Sequence, residues 1–191
     1  VLFRSLDAHG IDSAQAVALY LGPAWPKPWP SYVERTLQTL GLDHLPRLRH
    51  AVCPEVLLMS VYGSSSVCPS PLQFHWLRQR LAPARLRGGL RLYLGRASAS
   101  RRRLLNEHAL MAALQRCGFT CIQDPGALDF HEQCRLMADA DVVVAPHGAA
   151  LSLMFCCAPG TKLLEIQTCS YLSSLYAWMA MVGALQYSAV F

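Results

Sequence analysis

Short continuous apolar runs alternate with stretches of helical periodicity along the second half of the chain. Runs at residues 90–95, 119–123, 162–166 and 187–190 predict strands. The run at 141–145 holds Val142, Val143 and Val144 in succession, the pattern of a strand buried on both faces. Between the strands lie helical stretches. Residues 104–116 place Leu110, Met111, Leu114 and Cys117 on one face, and Gly118 follows the last turn. Residues 129–140 place Phe130, Cys134, Met137 and Ala138 on one face. Residues 149–157 predict a short helix, and 171–182 another. Strands that alternate with helices imply an α/β domain, a Rossmann-like parallel sheet flanked by helices.

The first half is less regular. Residues 13–21 suit either a helix or a buried strand. Pro23, Pro26, Pro28 and Pro30 exclude helix and central strand from the segment they occupy. Residues 31–40 resume as a helix, with Ser31 as N-cap, Glu34 completing a capping box and Gly41 ending it. A short strand at 56–61, a Gly/Ser/Pro loop at 63–70 and a helix at 72–81 stopped by Pro83 follow. The pattern divides near residue 87. Residues 88–191 form the Rossmann-like domain, and 6–87 are the tail of a preceding domain plus a linker.

Composition narrows the class. Of 191 residues 53% are hydrophobic and 15% charged, the opposite of a disordered chain. No run of about 18 apolar residues is present to span a membrane. The net charge of +5 is too modest to suggest a nucleic-acid partner, and all but Lys27 and Lys162 of the 17 basic residues are arginine. The first residue is not Met and Phe191 follows an apolar run, so we expect a piece of a longer protein. Val1-Leu2-Phe3-Arg4-Ser5 resembles translated adapter sequence and carries no weight in the fold. The eight cysteines (Cys53, Cys68, Cys117, Cys121, Cys134, Cys156, Cys157 and Cys169) form no C-x-x-C pair, and most sit in apolar segments, as buried thiols do.

Ligands of open parallel sheets bind beyond the carboxyl ends of the strands. That rule selects Arg96 after residues 90–95, Pro146-His147-Gly148-Ala149-Ala150 after 141–145, and Glu165 at the end of 162–166. Small residues in the Pro146–Ala150 loop admit a ligand close to the backbone, and a helix start offers N–H donors to an anion. Equally, Gly148 turns the chain and His147 is a satisfied surface group. Arg96 matches phosphate geometry, though a lone arginine at that position is also an ordinary surface residue. Arg101-Arg102-Arg103 precede a helix whose dipole they oppose, which fits a solvated loop. Glu107, in the first turn, suits the dipole, with Asn106 beside it. Glu132 closes a capping box with Asp129. Gln133 is one polar residue on a helix. A carboxylate at Glu165, ending a buried strand, needs a partner or a ligand hydroxyl.

In order, these positions form blocks: Leu92-Tyr93-Leu94-Gly95-Arg96, Arg103-Leu104-Leu105-Asn106-Glu107, Gly118-Phe119, Phe130-His131-Glu132-Gln133, Ala145-Pro146-His147-Gly148-Ala149-Ala150-Leu151 and Pro159-Gly160-Thr161-Lys162-Leu163-Leu164-Glu165-Ile166. The set closely resembles glycosyltransferase family 61, over about residues 88–187, with a weaker match back to the helix at 32–42. That family includes plant xylosyltransferases, animal GlcNAc transferases of the secretory pathway and bacterial proteins of capsular polysaccharide synthesis. The resemblance implies a GT-B architecture, with this chain holding the C-terminal, donor-binding half and a partial N-terminal domain. It implies an inverting transfer from a nucleotide sugar, a UDP-sugar first, to a glycan or protein-linked acceptor. No metal or other cofactor is expected. Arg96, Asn106, Glu107, Glu132, Gln133, His147, Gly148, Ala149 and Glu165 would then bind the donor. The resemblance puts the catalytic base in the acceptor-side domain or the cleft, and nothing singles out His75, Asp7, His9 or Asp12 for that role. Ala150 stands where the family has Gly, and Ser152-Leu153 where it has Thr-Asn. The alternative class is a nucleotide-sugar-binding domain without catalysis. An RNA-binding surface on Arg101–Arg103 lacks the interleaved aromatics it would need. Compartment stays open: cytoplasmic or membrane-associated for a bacterial protein, ER or Golgi lumen for a eukaryotic one.

Overall fold

A run of three valines needs cover on both faces, and the computed structural model provides it at the centre of a sheet. The structure describes residues 19–20, 31–39, 41, 43–44, 47–48, 69–97, 103–169 and 171–191. The chain divides into two compact units, Val1–Tyr62 and Gly63–Phe191.

In the first unit β1 (Leu19–Tyr20) pairs in parallel with β2 (Arg47–Leu48). Of the two readings of residues 13–21, the described part is strand. Helix α1 (Ser31–Thr39) ends where expected, with Gly41 in the left-handed region at φ 68° and its N–H donating to the Gln38 carbonyl at 2.9 Å. The proline segment and the strand expected at 56–61 lie outside the described residues.

The second unit opens on α2 (Pro71–Leu81). Ser70 and Gln73 cap each other reciprocally at 3.2 and 2.8 Å, and Pro71 occupies the first turn, where its missing N–H costs nothing. Arg78 ties the helix into the unit by donating to the carbonyls of Phe155, Cys157 and Gly183 at 3.0–3.1 Å while lying over the Phe74 ring. Burial lowers the pKa of this guanidinium. The unit holding the sheet therefore takes in a helix placed upstream of the division expected near residue 87.

Five strands follow: β3 (Leu90–Leu94), β4 (Phe119–Ile122), β5 (Ala140–Pro146), β6 (Lys162–Ile166) and β7 (Gln186–Val190). All pair in parallel, in the order β4-β3-β5-β6-β7. Helices α3 (Glu107–Arg116), α4 (Phe130–Asp139) and α5 (Leu175–Val182), and a 3-10 helix at Ala149–Cys156, connect them. The expected α/β Rossmann-like architecture is present. Leu92, Val143 and Leu163 are buried on the central strands, against Phe74 of α2, Met137 of α4, Met154 of the 3-10 helix and Met179 of α5. At about 25 cal/mol per Å² of apolar surface removed from water, such side chains each contribute roughly 1.5–3 kcal/mol.

Two helices start later than their apolar pattern predicts. Helix α3 begins at Glu107 rather than 104, because Glu107 bonds back to the end of β3 and Asn106 takes non-helical angles. Helix α5 begins at Leu175 rather than 171, because Gln167 and Ser173 hold the preceding turn. Strand β4 follows β3 on one side of it, and the chain then crosses back to lay β5 on the other. The order reverses between β3 and β5, and in open α/β sheets the crevice at the carboxyl ends of such a pair is where ligands bind.

Candidate functional site

Strand β3 ends at Leu94 and is followed by Gly95 and Arg96. The Gly95 N–H donates to the Ile122 carbonyl at 2.7 Å, and an added Cβ would lie 2.8 Å from the Gln123 carbonyl oxygen. Only glycine lets this turn pass so close to β4. The Arg96 N–H donates to Glu107 Oε1 at 2.8 Å, and the Tyr93 hydroxyl donates to the same oxygen at 2.9 Å. Tyr93 is fully buried, and burial, reinforced by the Glu107 carboxylate, pushes its pKa well up, so it remains a donor.

Strand β5 ends at Pro146 and delivers His147 and Gly148. The His147 N–H donates to the Ile166 carbonyl at 2.8 Å, which continues the sheet register past the strand end. Gly148 is extended and buried. A Cβ there would fall 1.7 Å from Arg96 Nη1 and 2.9 Å from its Cζ. The guanidinium thus occupies the space that a side chain at 148 would fill, and the ends of β3 and β5 meet at this contact. The Gly148 carbonyl accepts from the Tyr176 hydroxyl at 2.7 Å.

Glu165 of β6 is 0% exposed. Its Oε1 pairs with His147 Nδ1. Its Oε2 accepts from the Tyr187 hydroxyl at 2.6 Å and from Gln167 Nε2 at 3.2 Å. Burial and the bond to Glu165 push the Tyr187 pKa up to about 12. Gln167 also donates to the Ser173 carbonyl at 2.9 Å and accepts from the Ser173 N–H at 3.2 Å. The turn so held carries Tyr171, whose ring centroid lies 5.1 Å from that of His147; Tyr176 packs on the same imidazole at 4.9 Å.

The structure brings Arg96, His147 and Gly148 together on the carboxyl edge, with Ala149 exposed as the first residue of the 3-10 helix. Glu107 and Glu165 are buried and bonded to protein donors, and His147, bonded to Glu165, is buried as well. Asn106 is exposed and its side chain makes no cap bond. Glu132 is exposed; Asp129 caps α4 through the N–H groups of His131 and Glu132, at 2.7 and 3.1 Å. Gln133 donates to the Leu128 carbonyl at 3.0 Å and lines a small apolar cleft with Leu94, Met137, Ala150 and Leu153. Arg103 and His75 are exposed, whereas Arg101, Arg102, Asp7, His9 and Asp12 lie outside the described residues. No disulfide joins Cys117, Cys121, Cys134, Cys156, Cys157 or Cys169.

Sequence reasoning missed Tyr93, Tyr171, Tyr176, Tyr187 and Gln167. The register supplies the signal it lacked: Tyr187 pairs with Leu163, two residues before Glu165, so both side chains share a sheet face. No helix among the described residues is long and apolar enough to cross a membrane.

A family model described as Glycosyltransferase 61 matches residues 26–164, which includes Arg96 and His147–Ala149 and stops one residue before Glu165. No curated protein matches the chain.

Proposed function

The chain belongs to glycosyltransferase family 61, and on that premise we propose that the β3–β5 crevice receives the diphosphate of a nucleotide-sugar donor, a UDP-sugar first. The observation that carries this reading is the packing of the Arg96 guanidinium on Gly148. It puts a permanent positive charge beside the start of the 3-10 helix, at the point where the strand order reverses. A guanidinium fork and backbone N–H groups are the donors that phosphate oxygens require.

In the inverting transfer we propose, an acceptor hydroxyl on a glycan or protein-linked sugar attacks the anomeric carbon. The bond from that carbon to the diphosphate breaks, and negative charge grows on the leaving oxygen. Arg96, the His147 ring and the Gly148–Ala149 turn stabilise that charge, so that protein groups rather than a metal ion carry it. We assign the acceptor base to the acceptor-side domain of a GT-B pair. The cleft lined by Leu94, Gln133 and Ala150 adjoins this edge.

Thermal-shift titration of the chain with UDP, GDP and CMP, each with and without sugar, tests the reading. A nucleotide held at one hundred times its Kd adds about 2.7 kcal/mol of stability. We expect the largest upward shift with UDP ligands and its loss in Arg96→Ala. Equal, null responses to all three nucleotides would sink the proposal.

A further inference from the structure

We propose that Glu165 is a positioning residue for His147, and that Tyr187 and Gln167 complete the device by holding the carboxylate. The role assigned to the imidazole rests on the donor-site reading above, but the arrangement itself rests on contacts within the protein.

Three donors from three places converge on one buried carboxylate: the ring of His147 after β5, the hydroxyl of Tyr187 on β7 and the amide of Gln167 after β6. An ionised carboxylate is acceptor-only, which suits this company. Three of its roughly four lone-pair sites serve the protein, leaving it poorly placed to serve a ligand hydroxyl. Bonding at Nδ1 has a consequence for the ring. Which imidazole nitrogen carries the proton is set by the bond the other makes. A carboxylate at Nδ1 requires a proton there, and Nε2 is then the nitrogen through which the ring meets a ligand. Tyr171 and Tyr176 pack on the ring at 5.1 and 4.9 Å, so its plane is held as well as its tautomer. Gln167 joins the two functions, because the same side chain that bonds Glu165 also grips Ser173 in the turn that carries Tyr171.

The test uses the chain labelled with 15N-histidine, with two readouts. Long-range 1H–15N spectra report the protonation of His147 at Nδ1 and Nε2. Calorimetric titration with UDP reports binding. In the wild type we expect His147 protonated at Nδ1. Glu165→Gln should change that signature and weaken UDP binding by roughly tenfold, the scale of one charge-assisted hydrogen bond. His147→Gln should weaken binding to a similar extent, and the double variant should be no worse than His147→Gln, since Glu165 acts only through the ring. Tyr187→Phe keeps the carboxylate and should shift the same signals less; it carries the test if Glu165→Gln does not fold. Additive losses in the double variant, or weaker binding with unchanged His147 spectra, would overturn the proposal, since Glu165 would then touch the ligand itself. A wild type that binds no UDP yet shows the Nδ1–H signature would instead strike the donor-site reading and leave the positioning device intact.

Discussion

The carboxyl ends of β3 and β5, the two walls of the proposed crevice, are built on the same plan and differ in what the plan holds. Behind each stands a buried glutamate bonded to a tyrosine: Glu107 with Tyr93, and Glu165 with Tyr187. Glu107 grips the backbone N–H of Arg96, so it sets where the chain turns, while the guanidinium packs on Gly148. Glu165 grips the His147 side chain itself. One glutamate thus positions a loop, and the other an individual ring. On the proposed donor-site reading, a long cation facing a spread diphosphate charge tolerates some adjustment, whereas an imidazole that acts through one nitrogen does not.

The contrast is broken most severely by truncating the two glutamates. Glu165→Ala leaves three donors, two of them on buried residues, around an empty site and should cost about 3–5 kcal/mol, as removal of one partner of a buried pair does. Glu107→Ala leaves one hydroxyl and one N–H to find new partners and should cost about 1–3 kcal/mol. Urea unfolding of both variants measures the difference. Equal losses would mean that the walls do not differ as their contacts suggest.

Gly148→Ala sharpens the comparison from the other side. Gly148 is extended at φ 177°, so alanine meets no backbone strain, and the atoms nearest the added Cβ all belong to the Arg96 side chain. We expect little change in stability but at least about a tenfold loss of UDP affinity, the size of one misplaced charged hydrogen bond. Calorimetric titration beside urea unfolding separates the two effects.

In the second half the sequence carried the alternation of strands and helices, with each strand bound within a residue of the observed one. Strand β6 occupies the expected 162–166, and the Gly118 stop of α3 and the Asp129 start of α4 follow from local chemistry. It also placed Arg96 and His147 on one edge, because both follow strands of a parallel sheet. It did not carry the strand order. β4 intervenes between β3 and β5 in the chain but lies outside them in the sheet, so the contact of Arg96 with Gly148 is invisible along the sequence. Nor did it carry the direction of the two glutamates. A carboxylate near a strand end, as Glu165 is, faces a ligand or a protein partner according to the register of its neighbours, and Tyr187 is visible as its partner only once the pairing is known; Tyr93 meets Glu107 only because the start of α3 folds back onto the end of β3. The late starts of α3 and α5 have the same origin, since side-chain bonds over several residues outweighed the apolar period there.

A smaller effect separates the walls by pH. Tyr187 has its pKa raised from about 10 to about 12 in the folded state, by burial first and then by Glu165. The unfolded chain therefore loses this proton at a lower pH than the folded one, and stability falls as pH rises through that window. Tyr187→Phe removes the titrating group and should flatten the alkaline decline between about pH 10 and 12. Some slope should remain from Tyr93, whose pKa is raised further. Denaturant unfolding at several pH values checks this, and an unchanged slope would mean that Tyr187 does not contribute to the decline.

The proposed function requires that a nucleoside diphosphate bind in the β3–β5 crevice through Arg96. Calorimetric titration of UDP into the wild type, Arg96→Ala and Arg103→Ala tests it most directly. Arg103 is exposed, in the loop before α3, and has no part in the proposed crevice. Saturable binding is predicted for the wild type and for Arg103→Ala, with a loss of at least about tenfold for Arg96→Ala. Wild-type affinity in Arg96→Ala, or a greater loss in Arg103→Ala, would contradict the claim and move the phosphate site to the loop before α3.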